Sequence, residues 1–361
     1  MTTIIIKDSL RQSVEAASGG KQTVLYSPKG QATFMSIFEK VDLSTFSGEL
    51  TGTHPAFIIN GKEVSQLFIG TYQGTIINGE LVSQPWATPT NGLLISAYRN
   101  AISAMGAGHH LMTMPEWGLV AAYDNTGTQT LGNTNAGASH LDSTKKGKVI
   151  AGQANQIYTG SGPVEFRLNA KYNGPSDLVG NRFQICDGFR FASDELQIVE
   201  NNNAAMSGFD LGVNSTNWRA INGQTGSLMT PAYSGTINTN YVATTQDSIR
   251  LASATVNTDY GIYNLQYNNP TLTGSKRIQP VALKFLRAMG ICSISSASTP
   301  RGGFNPSQDA VINKDMRVWR SGAPVHGGYA SINALFLQNF ISSSTTFAAE
   351  GGSVRPCYYE V

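Results

Sequence analysis

Two Asn-Gly pairs, Asn60-Gly61 and Asn78-Gly79, each lie between short apolar runs. Asn-Gly suits the two-residue type I′ turn, whose central residues both need positive φ, so each pair predicts an antiparallel hairpin. The flanking runs, AFIING, LFIGTYQG and TIINGELVS, are short and rich in β-branched residues. Upstream, the Ser27–Gly30 turn separates Thr23–Tyr26 from Phe34–Phe38, a further hairpin signal, and Thr3–Ile6 is another short apolar segment. Residues 1–90 therefore read as mainly β, and 1–50 as a small β-rich N-terminal region.

The period then changes. Leu94, Ala97, Tyr98, Ala101, Ile102 and Met105 share one helical face, with Gly106 as a stop, which predicts a helix over about 92–106. Pro115, with Thr113 or Met114 at the cap, opens a second helix that Asp124, Asn125 and Gly127 end near 125. A third is predicted over 280–290, from Pro280 to Gly290. Between them, residues 126–279 are dense in Gly, Asn, Thr and Ser, with strand-like runs at 164–168, 183–186, 189–191 and 195–199. Residues 200–279, which carry Tyr233, Tyr241, Tyr260, Tyr263 and Tyr267, read as an elaborated surface insertion.

Only 13% of the 361 residues are charged, against about 25% in average proteins. Hydrophobic residues make up 40%, enough for a sizeable core. Such a surface presents hydroxyls and amides rather than charges. A net charge of +2, with no basic run beyond Lys145-Lys146, gives no electrostatic footprint for nucleic acid. Cys186, Cys292 and Cys357 are too few and too scattered for a disulfide framework or a zinc pattern, and read as small buried hydrophobes. The opening MTTIIIKDSLRQ lacks a signal-peptide core, and no stretch reaches the roughly 20 apolar residues of a membrane span. Synthesis in a cytoplasm without membrane insertion is expected.

Four blocks, in order, carry a resemblance. They are HPAFIINGKEVSQLFIGTYQG (54–74), GAGHHLMTMPEWGLVAAY (106–123), SDLVGNRFQICDGFRF (176–191) and the closing VWRSGAPVHGGYASINALFLQNFISSS (318–344) with GSVRP (352–356). Together they resemble the phage and prophage C-type-lectin-fold, formylglycine-generating-enzyme-like tail adhesin family, which includes retroelement-diversified receptor-binding proteins. His109 and Pro324 stand where that family usually has Trp; Phe183 and Ile185 replace two tryptophans, and Gln184 a Glu. The resemblance implies an α+β fold of C-type-lectin type over 51–361, a twisted antiparallel sheet with two flanking helices, and 200–279 as its long insertion. It further implies a virion protein, a homotrimer that contacts other virion proteins, with 1–50 serving attachment or oligomerisation.

Within that family the closing segment is either an active-site edge or a variable binding surface. Chemistry would need a cysteine pair or a His and carboxylate cluster held together. None of the cysteines takes a paired position, His109 and His110 alternate on a strand, and His54, His140 and His326 lack partners at fixed spacing. No catalytic residue, metal or cofactor is expected. Neither the Glu-Pro-Asn nor the Gln-Pro-Asp triplet of calcium lectins is present, although sugar recognition by stacked tyrosines and amides stays open. The binding reading places ligand contacts at Pro324, Val325, His326, Tyr329, Ser331 and Asn333, between the matched scaffold positions Arg320, Gly322, Gly327, Leu335, Leu337 and Asn339. Tyr329 offers a broad amphipathic surface, Ser331 and Asn333 adaptable hydrogen bonds. The expected function is a tail-fibre-tip adhesin for a host-surface glycan or protein. A structural virion component, in head decoration or baseplate, is the alternative, and an oxidase of formylglycine-generating type ranks last.

Overall fold

The computed structural model describes residues 2–236, 240–251, 265–267, 277–294, 315–320, 335–339 and 352–361, with the backbone alone for Leu265–Tyr267, Asp315–Arg320 and Leu335–Asn339. The backbone alone is likewise described for residues 2–8 and Ala154. The chain is an α+β protein with several antiparallel sheets and, among the described residues, four helices. None of these helices is long and apolar enough to cross a membrane.

The Asn-Gly turns form as the residues require. Asn60 and Gly61 have φ of 51° and 70°, Asn78 and Gly79 of 52° and 83°. They join Ile58–Ile59 to Lys62–Glu63 and Gly74–Ile77 to Glu80–Ser83. The Ser27–Gly30 turn joins Gln22–Tyr26 to Ala32–Glu39. That hairpin belongs to a five-stranded antiparallel sheet, in the order Gln22–Tyr26, Ala32–Glu39, Gln66–Gly70, Pro356–Tyr358, His109–Leu111. Residues 1–50 are thus less β-rich than expected: Thr2–Ser18 is a helix, α1. The Thr3–Ile6 run carries β propensity, but it leads into SLRQSVEAAS without a breaker until Gly19 and Gly20, whose φ of 62° and 75° end the helix.

Helix α2 spans Ile95–Ser103, α3 Met114–Thr126 and α4 Pro280–Ala288, within the predicted segments. Thr113 caps α3 in a full capping box with Glu116, so the cap is Thr113 and not Met114. The end of α4 meets α3 at two glycines. A Cβ on Gly118 would lie 2.6 Å from the Gly290 Cα, and one on Gly290 2.2 Å from the Gly118 Cα, so neither position has room for a side chain.

The second sheet runs Leu228–Met229, Arg219–Ile221, Glu195–Ile198, Gln184–Ala192, Asp315–Arg320, Leu335–Asn339, and Ile249–Leu251 with Leu265–Tyr267 also joins it at Glu195–Ile198. Two expectations change here. The 200–279 segment is no mere surface insertion: it contributes strands to this sheet and buries Trp218, Ile221 and Ile249. Its strands of two or three residues are too short for a period-2 pattern to register. The run at 164–168 is not a strand but lies in two 3₁₀ turns, Val164–Phe166 and Leu168–Ala170, with Asn169 at φ 56°.

Gln184–Ala192 is buried along its length because both faces are covered. Phe189 and Phe191 pack with Leu196, Ile198, Trp117 and Leu286 in the main core. The other face is shared. Ile185 packs with Tyr98, Ile102 and Val354 at one end, and Ala192 with Tyr241 and Ala243 at the other. A bulge makes this possible. The pairing with Asp315–Arg320 shifts between Cys186 and Arg190, around Gly188 at φ 80°.

One buried group ties pH to this fold. His54 caps a 3₁₀ turn, its Nδ1 accepting from Ala56 N at 3.2 Å, while Nε2 has no partner among the described residues. Burial pulls its pKa down to about 3, whereas an unfolded histidine titrates near 6.5. The folded ring stays neutral where the unfolded ring takes a proton. This contribution to stability is therefore present above pH 6.5 and is lost as pH falls towards 3. The urea midpoint is expected to drop between pH 7 and 4. His54→Asn, which keeps an acceptor for the turn but cannot be protonated, should flatten that slope; an unchanged slope would remove His54 as its source.

Candidate binding site

The predicted contacts Pro324, Val325, His326, Tyr329, Ser331 and Asn333 lie outside the described residues. Their frame is described. Asp315–Arg320 pairs antiparallel with Leu335–Asn339, so the stretch between Arg320 and Leu335 connects two strands of the second sheet. Trp319 takes the register position beside Ile185.

The pairings align a row of residues across this sheet: Gln338 opposite Arg317, Arg317 opposite Arg190, Arg190 opposite Gln197, Gln197 opposite Ala220. Directly opposed residues share a face, so four polar residues run from the closing hairpin to the middle of the sheet. At Arg190 and Gln197 the row enters a cleft of about 350 Å³, roofed by 213–218, 230–236 and Tyr241. That is at the lower end of the roughly 300–1,000 Å³ usual for small-molecule sites.

The floor of the cleft is held by a hydrogen-bonded network. The Arg190 guanidinium lies 4.3 Å from the Trp218 ring centroid, donates from Nε to Gln197 Oε1 at 2.9 Å, and from Nη1 to the Val213 carbonyl at 2.9 Å. Gln197 Nε2 in turn donates to Glu195 Oε1 at 2.8 Å and to the Tyr241 hydroxyl at 3.3 Å. Burial pushes the Tyr241 phenol up to about 12, so it stays protonated and keeps an O–H to donate. Tyr233 stacks on Tyr241 with ring centroids 4.8 Å apart and 26° between planes. Tyr241 is buried, but Tyr233 is 57% exposed. Asn214, Ser215, Thr216, Thr230 and Thr236 add amide and hydroxyl groups to the wall. The tyrosines were legible as candidates for stacking; Arg190, Gln197 and Trp218 were missed, because only strand register brings them to one place.

A second cavity, of about 680 Å³, lies between the end of α2, the 106–111 segment and residues 204–212. Arg99 forms a two-point ion pair with Asp187 there, at 2.5 and 3.2 Å. His109 also lines it, with its ring 4.6 Å from that of Tyr358 and held neutral chiefly by burial.

His110, Glu116 and Cys357 come together in the interior, with ligand-type atoms within 4.8 Å of one another. Sequence reasoning missed this cluster, since Cys357 reaches the pair only by strand pairing opposite His110. His110 Nε2 and Glu116 Oε1 are 2.7 Å apart, closer than the about 3.3 Å that separates tetrahedral ligands on a metal at about 2.0–2.1 Å. The other Glu116 oxygen accepts from Thr113 N at 2.9 Å, Asn202 Nδ2 donates to Oε1 at 3.0 Å, and His110 Nδ1 contacts the Gly108 carbonyl at 2.9 Å. Burial with Glu116 alongside raises the Cys357 thiol well above its usual range, which keeps it protonated in this network. The cluster is a closed hydrogen-bonded network that docks α3 onto the first sheet. Asp177 and Asn181 likewise serve the backbone: Asp177 Oδ2 accepts from Gly160 N at 2.7 Å, and Asn181 Oδ1 from Ile157 N at 2.8 Å.

No family model and no curated protein matches the chain.

Proposed function

We propose that this chain is a non-enzymatic virion adhesin that uses a C-type-lectin-like scaffold to present the 321–334 segment and a cleft on the same sheet to a host-surface receptor. One observation carries the reading: the polar row from Gln338 and Arg317, in the strands that bear that segment, continues through Arg190 and Gln197 into an open, aromatic-walled cleft. Contacts at Pro324, Val325, His326, Tyr329, Ser331 and Asn333 would then be carried by the same sheet as the cleft, and a rigid sheet is an effective support for binding segments. The closed His110–Glu116–Cys357 network supports binding rather than oxidase chemistry. A homotrimer attached through the N-terminal region is part of the same reading.

Immunogold labelling of intact particles tests it. Label at the distal tail is expected, and label over the capsid would favour the head-decoration alternative. The double variant Tyr329→Ala, His326→Ala should lower particle adsorption at unchanged thermal stability. Unchanged adsorption would remove these residues from the site.

A further inference from the structure

We infer that the cleft between Trp218, Tyr233 and Tyr241 is a saccharide subsite for an uncharged sugar ring. The inference rests on the adhesin reading and names the ligand class of that surface.

Three features converge on this chemistry. Tyr233 offers one ring face to solvent while its other face is backed by Tyr241, which gives a flat, pre-ordered platform for the C–H face of a pyranose. The platform costs little entropy on binding, because Tyr241 is itself fixed by Gln197. Around it, the Tyr241 O–H, the Asn214 amide and the hydroxyls of Ser215, Thr216, Thr230 and Thr236 can each give or take hydrogen bonds, as the hydroxyls of a sugar demand. Finally, among the described residues lining the cleft Arg190 carries the one formal charge, and its guanidinium is engaged by Gln197, Val213 and the Trp218 ring. A carboxylated or phosphorylated ligand would call for charge-assisted contacts, which this wall does not offer. A peptide strand would need alternating apolar pockets or an open sheet edge, and this cleft sits over the middle of the sheet.

The test uses the purified full-length chain on an immobilised panel of neutral hexose, N-acetylhexosamine and uronic acid oligosaccharides. Binding to members of the two neutral groups is expected. Tyr233→Ala should weaken it about tenfold or more, while Tyr233→Phe, which keeps the platform, should stay within about threefold of the parent. Because Tyr233 is 57% exposed, both variants should fold, which circular dichroism verifies. Binding confined to uronic acids, or binding indifferent to Tyr233→Ala, would overturn the inference. Periodate oxidation of host cells separates the two levels of argument. Adsorption that survives periodate, with a blank panel, discards the saccharide subsite and leaves an adhesin for a protein receptor. A chain that binds neither the panel nor untreated cells discards both.

Discussion

Replacing Arg355 by Met is expected to cost about 3–5 kcal/mol, because leaving each of several buried acceptors unpaired costs about 1–3 kcal/mol. Arg355 is wholly buried, and its guanidinium fans across the centre of the molecule. Nε donates to Gln184 Oε1 at 2.8 Å, Nη1 to the Gly70 carbonyl at 2.7 Å, and Nη2 to the carbonyls of Ser176 at 2.8 Å and Asp177 at 3.3 Å. Gly70 belongs to the first sheet and Gln184 to the second, so one side chain links both to the strand that ends the chain. Burial lowers its pKa to about 10, with Asp177 opposing the shift, so it remains charged at neutral pH. Met fills much of the volume but takes the guanidinium donors from Gln184 Oε1 and the Gly70 and Ser176 carbonyls, while the Asp177 carbonyl keeps Gln184 Nε2 and Gln73 Nε2. Urea denaturation should show the loss, and hydrogen exchange should show Pro356–Tyr358 opening first. Arg355→Lys keeps the charge but cannot fan to four acceptors, so it should recover only part of the stability. A loss below about 1 kcal/mol for Arg355→Met would mean that other contacts hold the sheets together.

Glu116→Ala is expected to cost a similar amount, about 3–5 kcal/mol, because it strips three buried donors of one acceptor. These are His110, Asn202 and the Thr113 N–H. Glu116→Gln keeps one acceptor oxygen, enough for the Thr113 N–H or for Asn202 but not both, and should cost about 1–3 kcal/mol. The pH dependence separates the two roles of this carboxylate. Burial alone would lower the His110 pKa, but the Glu116 charge and hydrogen bond raise it. Burial would raise that of Glu116, but His110 and the cap lower it. A raised histidine stabilises fully below its unfolded value near 6.5 and loses that contribution as pH rises through its folded value. A lowered carboxylate stabilises fully above its unfolded value near 4.5, and this is lost as pH falls through its folded value. The pair therefore contributes most between about pH 4.5 and 6.5. In Glu116→Gln the decline above pH 6.5 should vanish, because His110 no longer gains from being charged. A decline that persists in that variant would point to a different titrating group.

Local chemistry made much of the scaffold legible. Asn60-Gly61 and Asn78-Gly79 dictate their turns because few other pairs adopt consecutive positive φ. Thr113, Pro115 and Glu116 announce α3 within one turn, since each satisfies or avoids an orphan N–H. The α1 helix was misread because the four β-branched residues Thr3–Ile6 outweighed the unbroken run after them. The strands within 200–279 escaped because pairing partners, not local pattern, fix segments of two or three residues.

The site divides along the same line. Its ingredients, tyrosines, amides and hydroxyls in a chain with little charge, follow from composition alone. The assembly does not. Arg190 meets Gln197 through antiparallel register, Trp218 and Tyr241 arrive from segments that fold back over the sheet, and the Gly188 bulge brings Ile185 and Arg190 to one face. Cys357 reaches His110 across more than two hundred residues in the same way. Sequence sets what each residue can offer over a few ångströms of its own backbone. Which offers meet is decided by long-range pairing, whose energy is shared over whole sheets and leaves no mark at any single position.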